Sequence, residues 1–203
     1  LVIGFALGIC SGFSIMIAQR FGAGDYSGMR KFIANSIYLC IAVAVILTAV
    51  TMLLTKPILT VMNTPKEIYD YAYNYIIIIF AGISATMFYN ILSGILRAVG
   101  DSRTPLIFLG VSSVLNVGLD LLCIIVFKMG VAGAGIATVI SQAISAFLCL
   151  IYIRKNYDIL RFEHDEFKFE AHRAKRLVSV GIPMALQFSI TAIGSIILQS
   201  AVN

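Results

Sequence analysis

Long apolar runs separated by short charged connections are the dominant pattern along the chain. Four runs carry no Asp, Glu, Lys or Arg: Phe32–Thr55, Tyr71–Leu96, Met129–Ile153 and Leu177–Asn203. Each reaches the ~20 residues that an α-helix needs to cross about 30 Å of hydrocarbon. Leu1–Gln19 is a fifth charge-free run, and Thr104–Phe127 is a sixth, interrupted only by Asp120. All six are much longer than the roughly ten residues of a barrel strand and lack sustained period-two alternation, so they predict helices. The expected fold class is all-α, a polytopic transmembrane bundle with six spans.

Helix boundaries are signalled between the runs. Thr64-Pro65-Lys66-Glu67 has capping-box spacing with proline at the first helical position, and Thr104-Pro105 offers a similar start after Gly100-Asp101-Ser102. Gly4, Gly8 and Gly12 share one helix face and predict close packing against a neighbouring backbone. The small-residue run Gly130-Val131-Ala132-Gly133-Ala134-Gly135 fits either a close helix contact or a hinge. The one long connection, Arg154–Arg176, is mixed in sign, with Phe162, Phe167 and Phe169 among the charges. It predicts an amphipathic linker along the membrane surface. The expected organisation is five spans over 1–153, a linker over 154–176, and the first helix of a second bundle over 177–203.

Composition excludes an ordinary water-soluble domain: 60% of the 203 residues are apolar, 12% are charged and the mean hydropathy is +0.95. A net charge of +5 raises nucleic acid as a partner, but the bases border the apolar runs and topology explains them. The first, third and fifth connections (20–31, 97–103 and 154–176) hold Arg20, Arg30, Lys31, Arg97, Arg103, Arg154, Lys155, Arg161, Lys168, Arg173, Lys175 and Arg176. The even connections hold only Lys56, Lys66 and Lys128. By the positive-inside rule the odd connections face the cytoplasm of a cell-membrane protein. The chain starts at Leu1, and both ends lie inside apolar runs, which predicts a piece of a longer polypeptide. Cys10, Cys40, Cys123 and Cys149 lie within apolar runs without C-x-x-C spacing and are expected to pack. His164 and His172, beside Glu163, Asp165 and Glu166, lack metal-site spacing and are expected to be solvated.

Nine of the ten acidic residues lie in connections or near run ends, and Asp120 is the tenth. An ionisable group in a span is costly and marks a functional site by default. Seven residues at 1.5 Å each place it roughly 11 Å below the outer end at Phe127. Asn116 lies one turn away on the same face, with Asn90 on the preceding span and Thr138 on the following one. Together they predict a pocket of hard oxygen donors able to hold a proton or Na⁺. The plainer reading gives Asp120 a structural interhelical bond.

Several segments resemble the multidrug and toxic compound extrusion (MATE) transporters. Ile17-Ala18-Gln19-Arg20-Phe21-Gly22-Ala23-Gly24-Asp25 and Leu96-Arg97-Ala98-Val99-Gly100-Asp101-Ser102-Arg103-Thr104-Pro105 are similar to two of the family's cytoplasmic connections. Leu115-Asn116-Val117-Gly118-Leu119-Asp120 and Met129-Gly130-Val131-Ala132-Gly133-Ala134-Gly135-Ile136-Ala137-Thr138 continue the likeness. The resemblance implies a twelve-helix, two-lobe fold, of which this chain covers helices two to seven, with Gly181-Ile182-Pro183 opening the second lobe. It also implies efflux of amphipathic or cationic drugs by H⁺- or Na⁺-coupled antiport with alternating access. Asn116, Asp120 and Thr138 match the family's first-lobe cation site, with Asn90 as a neighbouring polar partner. A further aspartate of that site belongs to the family's first helix, outside this chain. Leu177–Asn203 has no acid where the NorM-type branch carries one, so first-lobe coupling, as in the DinF-like branch, is expected.

The implied partners are the bilayer, small organic cations or amphipathic drugs, and the rest of the same polypeptide, with no nucleic acid and no cofactor beyond the coupling ion. A flippase for lipid-linked saccharides would share this fold but need bases inside the spans, and none is present. An intramembrane enzyme would need a nucleophile with its base, or paired carboxylates, within the bilayer. Asp120 is a lone acid, so no enzyme is expected.

Overall fold

A computed structural model describes residues 2–61, 65–163 and 165–202. Its helices are α1 (Val2–Gly22), α2 (Tyr26–Val61), α3 (Lys66–Ala81), α4 (Ile83–Ala98), α5 (Arg103–Leu121), α6 (Gly130–Asn156) and α7 (Ala171–Val202). A π-helical segment, Leu122–Val126, extends α5, and a single 3₁₀ turn, Asp158–Leu160, follows α6. Five helices are long and apolar enough to cross a membrane, and α3 with α4 makes a sixth span if the bent pair is counted as one.

The sequence predicts one span over Tyr71–Leu96, and the structure bends it by about 40° at Gly82. A Cβ at Gly82 would collide with the Val139 side chain on α6, which would have to shift to admit any larger residue. Within a membrane such a break is tolerated only where other groups satisfy the backbone. Here the Thr48 hydroxyl donates to the Phe80 carbonyl and the Thr86 hydroxyl to the Gly82 carbonyl, both at 3.3 Å.

Two expected helix starts differ in detail. Thr64 lies outside the described residues; Pro65 occupies the position before α3, and among the described residues no side chain caps that helix. At α5 the helix begins at Arg103, so Thr104 is already inside it. The cap comes from Asp101, whose Oδ1 accepts the Thr104 N–H at 3.0 Å.

The tightest packing joins α1 to α7, which run antiparallel. A Cβ on Gly8 would come within 2.5 Å of Ala185 Cα, one on Gly12 within 2.6 Å of Gly181 Cα, and one on Gly181 within 2.7 Å of the Phe13 ring. The glycine face predicted for α1 is therefore a seam where two backbones touch, with α7 supplying the complementary small residues. The run at the start of α6 also makes close contacts: a Cβ on Gly133 would lie 2.9 Å from Cys123 Cβ, and one on Gly135 3.1 Å from Ile78 Cγ2. All four cysteines are buried and unpaired.

Buried apolar side chains concentrate toward the end of the bundle that carries Arg20 and Arg97. Phe13 and Ile17 of α1, Met29 and Phe32 of α2, Met87, Ile91 and Leu96 of α4, and Leu177 of α7 are almost fully enclosed. Apolar residues of the opposite half, such as Leu53, Val114 and Ile125, stay exposed, as expected where lipid is the solvent.

The connection from α6 to α7 spans only 157–170, because α6 and α7 continue through the basic residues that border it. It is strapped across the start of α2 rather than carrying only solvated charge. Arg30 donates to Glu166 through Nε and Nη2, and to Glu163 Oε1 at 3.0 Å. Ser27 Oγ donates to Glu166 Oε1 at 2.8 Å. Arg30 is 8% exposed and Glu166 5%, so this ion pair is buried. Asn35 closes the strap by donating to the Lys168 carbonyl and accepting the Glu170 N–H. Tyr157, pushed up to about 12 by burial and by its bond to Asp101, donates its hydroxyl proton to Asp101 Oδ2 at 2.8 Å. Among the two histidines, His172 is exposed on α7 and His164 lies outside the described residues.

Two outcomes follow from this packing. Gly8→Ala lowers stability by about 1–3 kcal/mol through overpacking. Gly110→Ala, where an added Cβ meets nothing within 4 Å, is neutral or slightly stabilising. Unfolding of the two variants in detergent, run side by side, measures the difference. The second outcome concerns Glu166, whose carboxyl falls from an ordinary 4.5 to about 2, chiefly through the hydrogen bond from Arg30. A lowered carboxylate stabilises the fold fully above its unfolded value and loses that contribution as pH falls through the folded one. Cleavage of the strap by an acid-active protease should therefore accelerate between pH 4.5 and 2. With a protease active at neutral pH, Glu166→Gln should already raise cleavage there, reflecting a loss on the order of 3 kcal/mol.

Candidate cation site

The apolar stretch of α5 places Asn116 and Asp120 one turn apart on one face, beside α6. Thr138 lies on the facing helix. Asn116 Nδ2 donates to Thr138 Oγ1 at 3.3 Å, and Thr138 Oγ1 donates to the Ala134 carbonyl at 2.9 Å. Asp120 is half-buried, and its Oδ1 is enclosed without a hydrogen-bond partner. A buried carboxylate oxygen with no donor carries a large desolvation cost unless it is protonated or binds a cation. The Asn116 side-chain Oδ1 accepts no hydrogen bond among the described residues.

Three of the four sequence candidates thus come from facing positions of α5 and α6. Asn90 does not join them: its Nδ2 donates to the Thr86 carbonyl of its own helix at 2.7 Å, and no hydrogen bond links it to the other three among the described residues. It lines a separate cavity of about 320 Å³ with Tyr89, Arg97 and Leu106. The donor chemistry is carboxylate, amide and hydroxyl, which suits H⁺ or a hard cation such as Na⁺ rather than a transition metal. Among the described residues no cluster of three His, Cys, Asp or Glu side chains exists.

Two features around the site are additional to the sequence reading. Two residues past Asp120 the helix widens into its π segment, with the Phe127 N–H reaching back to the Leu122 carbonyl at 3.1 Å. Single π turns inside helices recur at functional positions. Lys128 and Gly130, at φ 52° and 56°, then reverse the chain into α6. The second feature is a polar face on α6. Thr138, Ser141, Gln142 and Ser145 follow one another at i, i+3, i+4 and i+7, and Gln142 Oε1 and Ser145 Oγ are buried without partners. That spacing is legible in the sequence once Thr138 is taken as its start.

A bundle of apolar helices with one unpaired carboxyl among oxygen donors defines a polytopic helical membrane protein with a candidate ion site. The MatE family model matches residues 1–122, and the chain belongs to that family. It is 33% identical over 203 residues to the Probable multidrug resistance protein YpnP of Bacillus subtilis, covering all of this chain and 45% of that protein. It is 31% identical to the Probable multidrug resistance protein NorM of Thermotoga maritima, covering 90% of this chain and 40% of that one. Among solved structures, a MOP superfamily transporter from Pyrococcus furiosus superposes with a TM-score of 0.89 at 26% identity, covering 98% of this chain and 44% of that one. The chain therefore spans under half the length of these relatives.

Because Asp120 Oδ1 has no partner to lose, Asp120→Leu should leave stability unchanged or raise it by up to about 2 kcal/mol. Thermal unfolding in detergent reads this directly. A loss exceeding about 2 kcal/mol would instead assign Asp120 a structural bond.

Proposed function

We propose that this chain forms most of the first lobe, and the first helix of the second, of a secondary active transporter in the cell membrane. That transporter exports amphipathic or cationic drugs by H⁺- or Na⁺-coupled antiport with alternating access. The observation that carries the reading is the buried, unpartnered Oδ1 of Asp120, one turn from an Asn116 amide already bonded to Thr138 across two helices. Asp120 is the reversible cation-binding group, and Asn116 and Thr138 supply neutral oxygens. An ion entering there changes how α5 and α6 attract one another, which couples occupancy to helix position. Asn90 has a lesser claim, as a polar wall residue of the neighbouring cavity.

Membership of a family whose relatives are named as multidrug resistance proteins supports drug export. The absence of Lys and Arg from the apolar runs weighs against a lipid-linked saccharide with its pyrophosphate. The odd connections lie on the cytoplasmic side, the remainder of the same polypeptide is the partner that completes the second lobe, and no enzymatic step is involved.

The test is efflux of a fluorescent organic cation from vesicles holding the full-length protein, under separately imposed H⁺ and Na⁺ gradients. Asp120→Asn should reduce gradient-driven efflux at least tenfold, on the order of 1.4 kcal/mol of lost coupling, while the gradient that drives wild type names the ion. Unchanged efflux in a folded Asp120→Asn variant would move coupling elsewhere.

A further inference from the structure

Two cavities lie between α2, α4 and α6, away from the Asp120 cluster. One of about 400 Å³ is walled by Cys40, Ala44, Ser84, Met87 and Phe147. The other, about 760 Å³, opens at the end where α6 meets the strap. Ile37 and Phe88 line both, so they form one groove. Its walls are apolar apart from Ser84, except at the mouth, where Arg154 and Arg161 stand beside Tyr157, Phe162 and Phe167.

The dimensions and the chemistry of this groove are those of one lipid. Along α2 it runs from Ile33 to Val45, twelve helical steps of about 1.5 Å, or roughly 18 Å. That is close to the ~15 Å of a single hydrocarbon leaflet. Both mouth arginines are exposed. Arg161 lies close enough to place Nη2 3.4 Å from the Arg154 carbonyl, and its one acidic partner, Asp158, is itself exposed. Arg154 has no ion-pair partner among the described residues. Two guanidinium groups at the level of the headgroups, above an apolar channel one leaflet deep, complement a phosphate carrying an acyl chain.

We propose that this groove binds one anionic phospholipid of the leaflet facing the strap, its phosphate on Arg154 and Arg161 and an acyl chain along Ile37 and Phe88. The site is independent of Asp120. A lipid seated there touches α2, α4, α6 and the strap together, so its occupancy holds the linker against the bundle.

The test is lipid analysis of the full-length protein extracted from vesicles of equal phosphatidylglycerol and phosphatidylcholine. Wild type should retain phosphatidylglycerol over phosphatidylcholine by roughly tenfold, and Arg154→Gln with Arg161→Gln should bring that ratio near one. Lys56→Gln with Lys66→Gln, which removes two bases from the opposite end, should leave it unchanged. Ile37→Trp, which fills the groove, should lower retention of both lipids. The proposal is overturned if wild type retains no phospholipid, if it retains the two equally, or if the arginine variant keeps the preference. Thermal stabilisation of wild type by added phosphatidylglycerol, greater than by phosphatidylcholine, checks the same preference without any variant.

Discussion

Hydrocarbon offers no hydrogen bonds, so every backbone amide and carbonyl inside the bilayer must find its partner within the protein. The rest of this structure depends on that constraint. It makes the apolar runs helices, and it permits irregular backbone only where other groups cover it. The two main irregularities obey it. At Gly82 hydroxyls of Thr48 and Thr86 reach the carbonyls around the bend. After Asp120 the helix changes its hydrogen-bond register to the π form instead of breaking.

Since lipid is as apolar as leucine, burial of apolar surface gives these helices little reason to associate, and close contact between backbones matters more. The α1–α7 seam shows this, with Gly8 and Gly12 set against Ala185 and Gly181. Where the bundle meets water a different interaction takes over. The buried Arg30–Glu166 pair, with Ser27 and Asn35 around it, fixes the α6–α7 connection to the start of α2. Such a pair is costly to desolvate, but its geometry defines one position for the strap.

The candidate site draws on both regimes. Asn116 and Thr138 form a neutral bond across α5 and α6, of the kind that holds membrane helices together. One turn away Asp120 has an enclosed oxygen with no such bond. A polar atom left unsatisfied in a native interior calls for an explanation, and a bound cation or proton supplies one. Gln142 Oε1 and Ser145 Oγ, further along α6, are also buried without partners, so the unsatisfied polarity extends from the site in the direction of Arg154.

Spans, orientation bias and the isolated charge of Asp120 were all legible in the sequence, because transfer into hydrocarbon depends on residue type and run length alone. So was the juxtaposition of Asn116 and Asp120, which one helical turn fixes, and so was the glycine face of α1. The partner of that face was not, since nothing local in Gly181 and Ala185 points to Gly8. Nor could the sequence separate Asn90 from the site, exchange the Thr104 cap for Asp101, or bend Tyr71–Leu96 at Gly82. It read Glu166 as one more solvated charge, when Arg30, distant in sequence, encloses it. Local periodicity and hydropathy determined which segments are helices and which faces are polar. Only the tertiary structure decided which faces meet, because that depends on the shapes of side chains brought together from far apart in the chain.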